Sequence, residues 1–155
     1  MMLGYLKMLL ISIFIFILVC FFPSHAQDIS IIMSEHSAVK QLNAEQVKRI
    51  FLCKDRLTAQ GERWIPINLS AHNLVRKSMV DQLLQFTPFE LERYWYEQYF
   101  NGVSPPYVLA SEEAVLRFVS KTPNAIGYIL SCHVGAGVKT VYTFNDNKLT
   151  SKLCP

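Results

Sequence analysis

Neither a G-x-S-x-G elbow nor an H-E-x-x-H helix occurs in the 155-residue sequence, and no nucleophile stands beside a base at a recognisable spacing. The common signatures of serine hydrolases and zinc peptidases are missing, so the chain reads as noncatalytic, with no metal or cofactor expected. His36, His72 and His133 are scattered singly, and each reads as a capping or surface residue. No internal repeat, low-complexity tract or block of like charge is present, which removes solenoids and charged tails from consideration. Charge itself is scarce: 17% of residues carry one and the net is +3, evenly spread. That is too little to follow a nucleic-acid backbone or hold an anionic membrane surface, and no nucleic-acid partner is expected. The longest apolar run, Met8–Phe22, falls short of the roughly 20 residues needed to cross a bilayer.

What that run does resemble is a leader. Met1–Lys7 carries one lysine, Met8–Phe22 has no charge, and Pro23–Ala26 ends in the small-x-small pattern that precedes cleavage. Residues 1–26 are therefore expected to be a signal peptide, with an uncleaved anchor as the alternative, and a periplasmic or secreted location follows. Val19 before Cys20 is too large for a lipoprotein site. Residues 27–155 remain, about 130 residues, enough for one domain with a sizeable core. Export places Cys53, Cys132 and Cys154 in an oxidising compartment. Cys132 and Cys154 flank a hairpin-like C-terminal segment and are the favoured couple, although three pairings are open. Cys132 with His133 is a weaker metal-ligand alternative, since adjacent ligands lack the usual spacing.

The rest alternates strands and helices. Asp28–Met33 is β-branched and apolar, a first strand, followed by the polar loop Ser34–Ser37. Asn43 caps a helix over Ala44–Leu52, with Gln46 completing a capping box and Val47, Ile50 and Phe51 as its buried face. Ile65–Leu69 is a second strand whose Pro66 argues for a sheet edge or a strand start. A helix begins at Ser70–Asn73 and buries Met79, Val80, Leu83 and Leu84. Thr87, Pro88 and Glu90 then open a helix to about Phe100. Asn101–Pro106 is a loop. Ser111, Glu112 and Glu113 open a helix whose stripe is Ala114, Val115, Phe118 and Val119; Pro123 stops it, and Ala125–Leu130 is a strand covered on both faces. Lys139–Phe144 is a half-exposed last strand and Asn145–Asn147 a polar turn. Helices feeding such strands imply an α/β layered protein.

Three segments carry a family likeness. Leu42–Leu52, Trp64–Ile67 and Glu113–Leu130 with its Thr-Pro-Asn-Ala-Ile-Gly-Tyr core resemble the phosphate-binding periplasmic proteins of ABC transporters, and more closely their small single-domain relatives. The resemblance implies a three-layer periplasmic-binding-protein-like (type II) single lobe, a short mixed sheet flanked by helices. It also implies a noncatalytic binding role, with phosphate or another small oxyanion as ligand and an envelope permease or sensor as partner. Full family members hold their anion between two lobes, at helix N-termini and hydroxyls. Where they usually read Ser-Gly-Thr followed by arginine, this chain has Asn73, Leu74, Val75 and Arg76, and the family's upstream arginine falls at Leu69. Cys53 stands where glycine is common.

The expected anion site is therefore Ser70, His72, Asn73 and Arg76 at one helix start, with Ser34 and Ser37 of the first loop lining the same edge. The alternative is that Asn73 or Ser70 merely caps the helix. In the aromatic run Tyr94–Phe100, Leu91, Trp95 and Tyr99 share one helical face with Tyr96 and Phe100 nearby, which predicts core packing; any exposed remainder would mark a protein-binding surface. A ligand-free interaction module of the cell envelope is thus the second functional expectation.

Overall fold

The computed structural model describes residues 27–146 together with Leu149 and Cys154; the expected leader 1–26 and Asn147 of the expected turn lie outside the described residues. Five strands are present: β1 (Gln27–Ser34), β2 (Ile65–Leu69), β3 (Tyr107–Leu109), β4 (Ala125–Leu130) and β5 (Val138–Asp146). They form one sheet in the order β3-β2-β4-β1-β5. β2 runs parallel to β3 and β4, whereas β1 is antiparallel to β4 and β5, so the sheet is mixed.

Four helices cover it. α1 (Ala44–Phe51) carries the expected capping box, Asn43 and Gln46 each bonding the other's backbone N–H at 2.9 Å, and buries Val47, Ile50 and Phe51. α2 (Leu74–Ser78) continues directly into a π-helical stretch, Met79–Leu84, whose wider turn keeps Met79, Val80, Leu83 and Leu84 all buried. α3 (Pro88–Phe100) has its own capping box from Thr87 and Glu90. α4 (Glu112–Lys121) is capped by Ser111.

Neighbouring residues of a strand point to opposite faces, and β4 shows what each face meets. On the Gly127 side, α4 approaches so closely that a Cβ there would lie 2.5 Å from Val115 Cγ1 and 3.2 Å from Val119 Cγ2. On the other side the Tyr128 ring meets Phe51 of α1 edge-on, with centroids 5.6 Å apart. Helices thus lie on both faces, all six residues of β4 are buried, and the fold is the three-layer α/β lobe expected.

Several local expectations change. β2 is an interior strand, so of the two expectations for Pro66 the edge fails and the strand start holds, Pro66 being its second residue. Ile65 N–H donates to Asn124 O on the β4 side, so Pro66 turns its missing N–H toward β3, whose pairing begins only at Ile67. β3, directly after the expected loop Asn101–Pro106, was not anticipated; its three residues are too few to show a period. β5 runs on through Asn145 and Asp146, paired to Asp28 and Gln27, where a turn was expected. On α4, Phe118 is exposed and Leu116 packs against the core in its place, because Val115 and Val119 already face the strand.

Candidate functional site

The chain leaves the C-terminal end of β2 at Leu69 and turns at once, Asn73 N–H bonding Ser70 O at 3.0 Å, before α2 begins. Asn73 is the N-cap: its Oδ1 accepts from Val75 N at 2.8 Å and Arg76 N at 3.3 Å. Capping, the structural alternative for this residue, is therefore real, and it uses two N–H groups that an anion would otherwise need. Val75, fully buried, fixes the turn against the core.

Arg76 is also partly committed. Its Nη1 donates to Asn68 Oδ1 at 2.5 Å, and the same oxygen accepts from the Tyr128 hydroxyl at 3.2 Å. The Tyr128 oxygen in turn accepts Leu69 N–H at 3.1 Å. The cause lies in the sheet. β2 pairs with β4 only at Ile65 and Pro66, so further along the Leu69 N–H points toward β4 and finds no carbonyl. The phenol fills that gap, and burial pushes its pKa up. Asn68 and Tyr128 are the residues that sequence reasoning missed. The one available signal was Asn68 itself, a polar residue inside the apolar run Ile65–Leu69.

Outside this network, the Ser70 hydroxyl and the His72 ring have no hydrogen-bond partner among the described residues; Ser70 and Arg76 are half-buried and His72 is exposed. The structure therefore brings Ser70, His72, Asn73 and Arg76 together. It does not bring Ser34 and Ser37 to them. Because β1 is antiparallel to β4, Met33 pairs with Ile126 at the start of β4, beside the start of β2. Ser34 and Ser37 consequently sit at the opposite end of the sheet, on the order of 15 Å from Ser70 for a strand of this length. Both build the turn: Ser34 Oγ donates to Ser120 O and accepts His36 N–H, each at 3.3 Å, and Ser37 Oγ accepts Val39 N–H at 3.3 Å.

Cys132 is bonded to Cys154, the favoured pairing, so its sulfur is not available to a metal with His133. His133 Nδ1 instead lies 3.0 Å from Glu112 Oε2, which also accepts Leu130 N–H at 2.7 Å and ties α4 to the end of β4. Among the described residues no group of three or more histidine, cysteine or acidic side chains is arranged to hold a metal. Cys53 is free and occupies the left-handed region, φ 54°. It is the C′ residue closing α1, with Cys53 N–H bonding Ile50 O and Lys54 N–H bonding Arg49 O, where glycine is the usual occupant. Burial pushes its thiol pKa up, against the opposing pull of Arg56 and Arg63.

The aromatic helix departs from expectation. Only Leu91 of α3 is fully buried, while Tyr94 donates from its hydroxyl to Leu52 O at 2.6 Å and Trp95 packs half-buried beside it. Phe89, Tyr96, Tyr99 and Phe100 are each between 67% and 71% exposed, and the last three form one cluster of edge-on rings. The inward turn of the helix is filled by Leu91, Tyr94 and Trp95, which leaves the other rings no core to enter.

No protein-family model and no characterised protein matches the sequence. Solved structures do match the fold. A protein assigned as a phosphate ABC transporter substrate-binding protein, with bound phosphate, from Clostridium perfringens superposes with a TM-score of 0.62 at 19% identity, over 75% of this chain and 44% of that one. An ABC-type phosphate transport receptor from Vibrio cholerae gives 0.62 at 20% identity, over 77% and 47%, and PstS from Borrelia burgdorferi 0.55 at 19%, over 70% and 42%. The chain spans less than half the length of the structures it matches, and at these identities the likeness is one of fold: this is an α/β lobe of the kind found in phosphate ABC transporter substrate-binding proteins.

Proposed function

We propose that the protein is an exported, noncatalytic binding protein of the cell envelope that takes a small oxyanion, phosphate being the first candidate, weakly at the Ser70–Arg76 corner. The observation that supports this best is the tethering of Arg76: Asn68, at the end of β2, holds one arm of its guanidinium, and in the turn between them the Ser70 hydroxyl and the His72 ring have no hydrogen-bond partner among the described residues. A guanidinium bond worth about 1.5–3 kcal/mol and two neutral bonds of about 1 kcal/mol each sum to roughly 4 kcal/mol, a millimolar site. Calorimetric titration with phosphate and with sulfate tests it. Millimolar binding that Arg76→Gln abolishes is the expected result; absence of heat and of any thermal shift at millimolar anion would sink the reading.

A second reading is favoured by the exposed rings of α3. A contiguous Tyr96, Tyr99 and Phe100 cluster on a chain this short of charge is the kind of patch that docks on another protein, and the partner would be an envelope permease or sensor. Trp95, half-buried, is a poor probe of that surface. Capture from envelope extract that is lost in a Tyr96→Ala/Phe100→Ala variant, and kept in Arg76→Gln, would select this role over anion binding. Among the described residues no helix is long and apolar enough to cross a membrane.

A further inference from the structure

A cleft of about 560 Å³ opens at the other end of the sheet from Ser70, against Ile65 and Pro66 at the start of β2. We propose that it binds a monocarboxylate carrying an aromatic or branched apolar body, its carboxylate held between Arg56 and Arg63. Neither guanidinium has a hydrogen-bond or ion-pair partner among the described residues, whereas the one acid in the cleft, Asp55, is already engaged by Arg49 through two bonds of 2.9 and 2.7 Å. Both arginines line the one concavity with their donors uncommitted, and a carboxylate is an anion whose two oxygens a guanidinium can bind in a bidentate fork.

The arginines are placed by a rigid strap. Leu57 and Arg63 form a β-bridge, Trp64 N–H bonds Arg56 O at 3.0 Å, and Thr58 N–H bonds Glu62 O at 2.7 Å around Gly61, whose φ of 81° suits glycine. Such preorganisation lowers the ordering cost of binding. The opposite wall is made by the turns that close α1 and α3: Cys53 in the first, Gly102 and Val103 in the second, with Gly102 N–H bonding Tyr99 O and Val103 N–H bonding Gln98 O, both at 3.0 Å. Each helix C-terminus contributes about half a negative charge, so two guanidinium groups leave roughly one positive charge, which matches a monoanion better than a dianion. Trp64, Val103 and Tyr107 supply an apolar lining far larger than a bare ion can use, and the volume lies in the range typical of small organic ligands.

Cys53 lines the cleft and provides the readout. The rate of its alkylation by iodoacetamide, mapped to the Cys53 peptide by mass spectrometry, is measured with 3-phenylpropionate, with the uncharged 3-phenylpropanamide and with acetate. The expected result is protection by 3-phenylpropionate at about 1 mM or below, and at least about tenfold weaker protection by the amide and by acetate. Protection is expected to fall at least about tenfold in an Arg56→Gln/Arg63→Gln variant and to survive in Arg56→Lys/Arg63→Lys. No protection by 3-phenylpropionate, or protection matched by the amide or by acetate, overturns the proposal on the unaltered protein alone; full protection retained in the glutamine variant overturns the role of the arginines. Because this cleft and the Ser70–Arg76 corner lie at opposite ends of the sheet, either can fail without the other.

Discussion

Tyr128→Phe removes a single oxygen from the centre of the sheet and should be felt out of proportion to its size. Tyr128 is wholly buried, and its hydroxyl stands in for the ladder partner that Leu69 N–H lost when β2 diverged from β4. Phenylalanine keeps the edge-on contact with Phe51 and opens a void smaller than a methyl group, so the loss is polar and not one of packing. Leaving the Leu69 donor buried without an acceptor costs about 1–3 kcal/mol. For a domain of this size that corresponds to a fall in Tm of about 4–12 °C. Thermal and denaturant unfolding measure the total, and native-state amide exchange locates it: Leu69 should lose protection beyond the global change, while Val115 on the far face should follow the global change only. An unchanged Tm with Leu69 as protected as before would refute the claim that the phenol completes the ladder, and with it the account of why Asn68 and Arg76 are held where they are.

Gly127→Ala forces a methyl group into Val115, whose β-branched side chain has little rotamer freedom in a helix; a loss of about 1–3 kcal/mol is expected, and a double-mutant cycle with Val115→Ala should recover at least about 1 kcal/mol of it, additivity being the contrary result. Cys132→Ser opens the link to Cys154 and should cost about 3 kcal/mol in denaturant, with reductant producing the same shift in the parent protein and none in the variant. Cys53→Gly should raise stability by up to about 1 kcal/mol, since glycine accepts φ 54° without strain. Glu90, accepting Thr87 N–H and hydroxyl, and Asp55, bonded to Arg49, both titrate below the ordinary carboxylate range. Their folded pKa values are lower than their unfolded ones, so their contribution is complete above about pH 4–5 and is lost as pH falls through the depressed values. Amide exchange at the start of α3 in acid should show the loss there, and Glu90→Gln should make that segment pH-independent.

The parts of this fold that could be read from sequence are those decided by neighbours in the chain. Asn43 with Gln46 and Thr87 with Glu90 are reciprocal caps three residues apart, and both helices begin where those pairs place them. The run Ala125–Leu130 is apolar throughout and ends up covered on both faces. What escaped notice was decided across distance. Leu69 and Tyr128 meet over 59 positions, and nothing local marks the phenol as a ladder partner. Ser34 and Ser70 each follow a strand, which alone predicts a shared edge, but an apolar strand does not declare its direction, and the antiparallel β1 carries Ser34 to the far end. On α3 both faces are apolar, so periodicity alone could not choose which would be buried; the Tyr94 bond to Leu52 decides it and turns Tyr96 and Phe100 to solvent.

That distribution of donors bears on how the anion corner would have to work. Asn73 has taken two N–H groups of α2 and Asn68 one arm of Arg76, so the chain's own polar groups satisfy much of what a full grip would use. A micromolar complex requires about 8 kcal/mol, and the corner alone offers roughly half of that. The remainder would have to come from donors on another surface that closes over Ser70 and His72. Linkage then fixes a consequence: if a partner completes the site, phosphate must tighten the partner by the same factor by which the partner tightens phosphate. A partner captured through the α3 rings whose affinity is indifferent to phosphate would therefore be docking on a surface uncoupled from the corner, whereas one whose affinity rises about a hundredfold with phosphate would supply close to 3 kcal/mol of the missing grip.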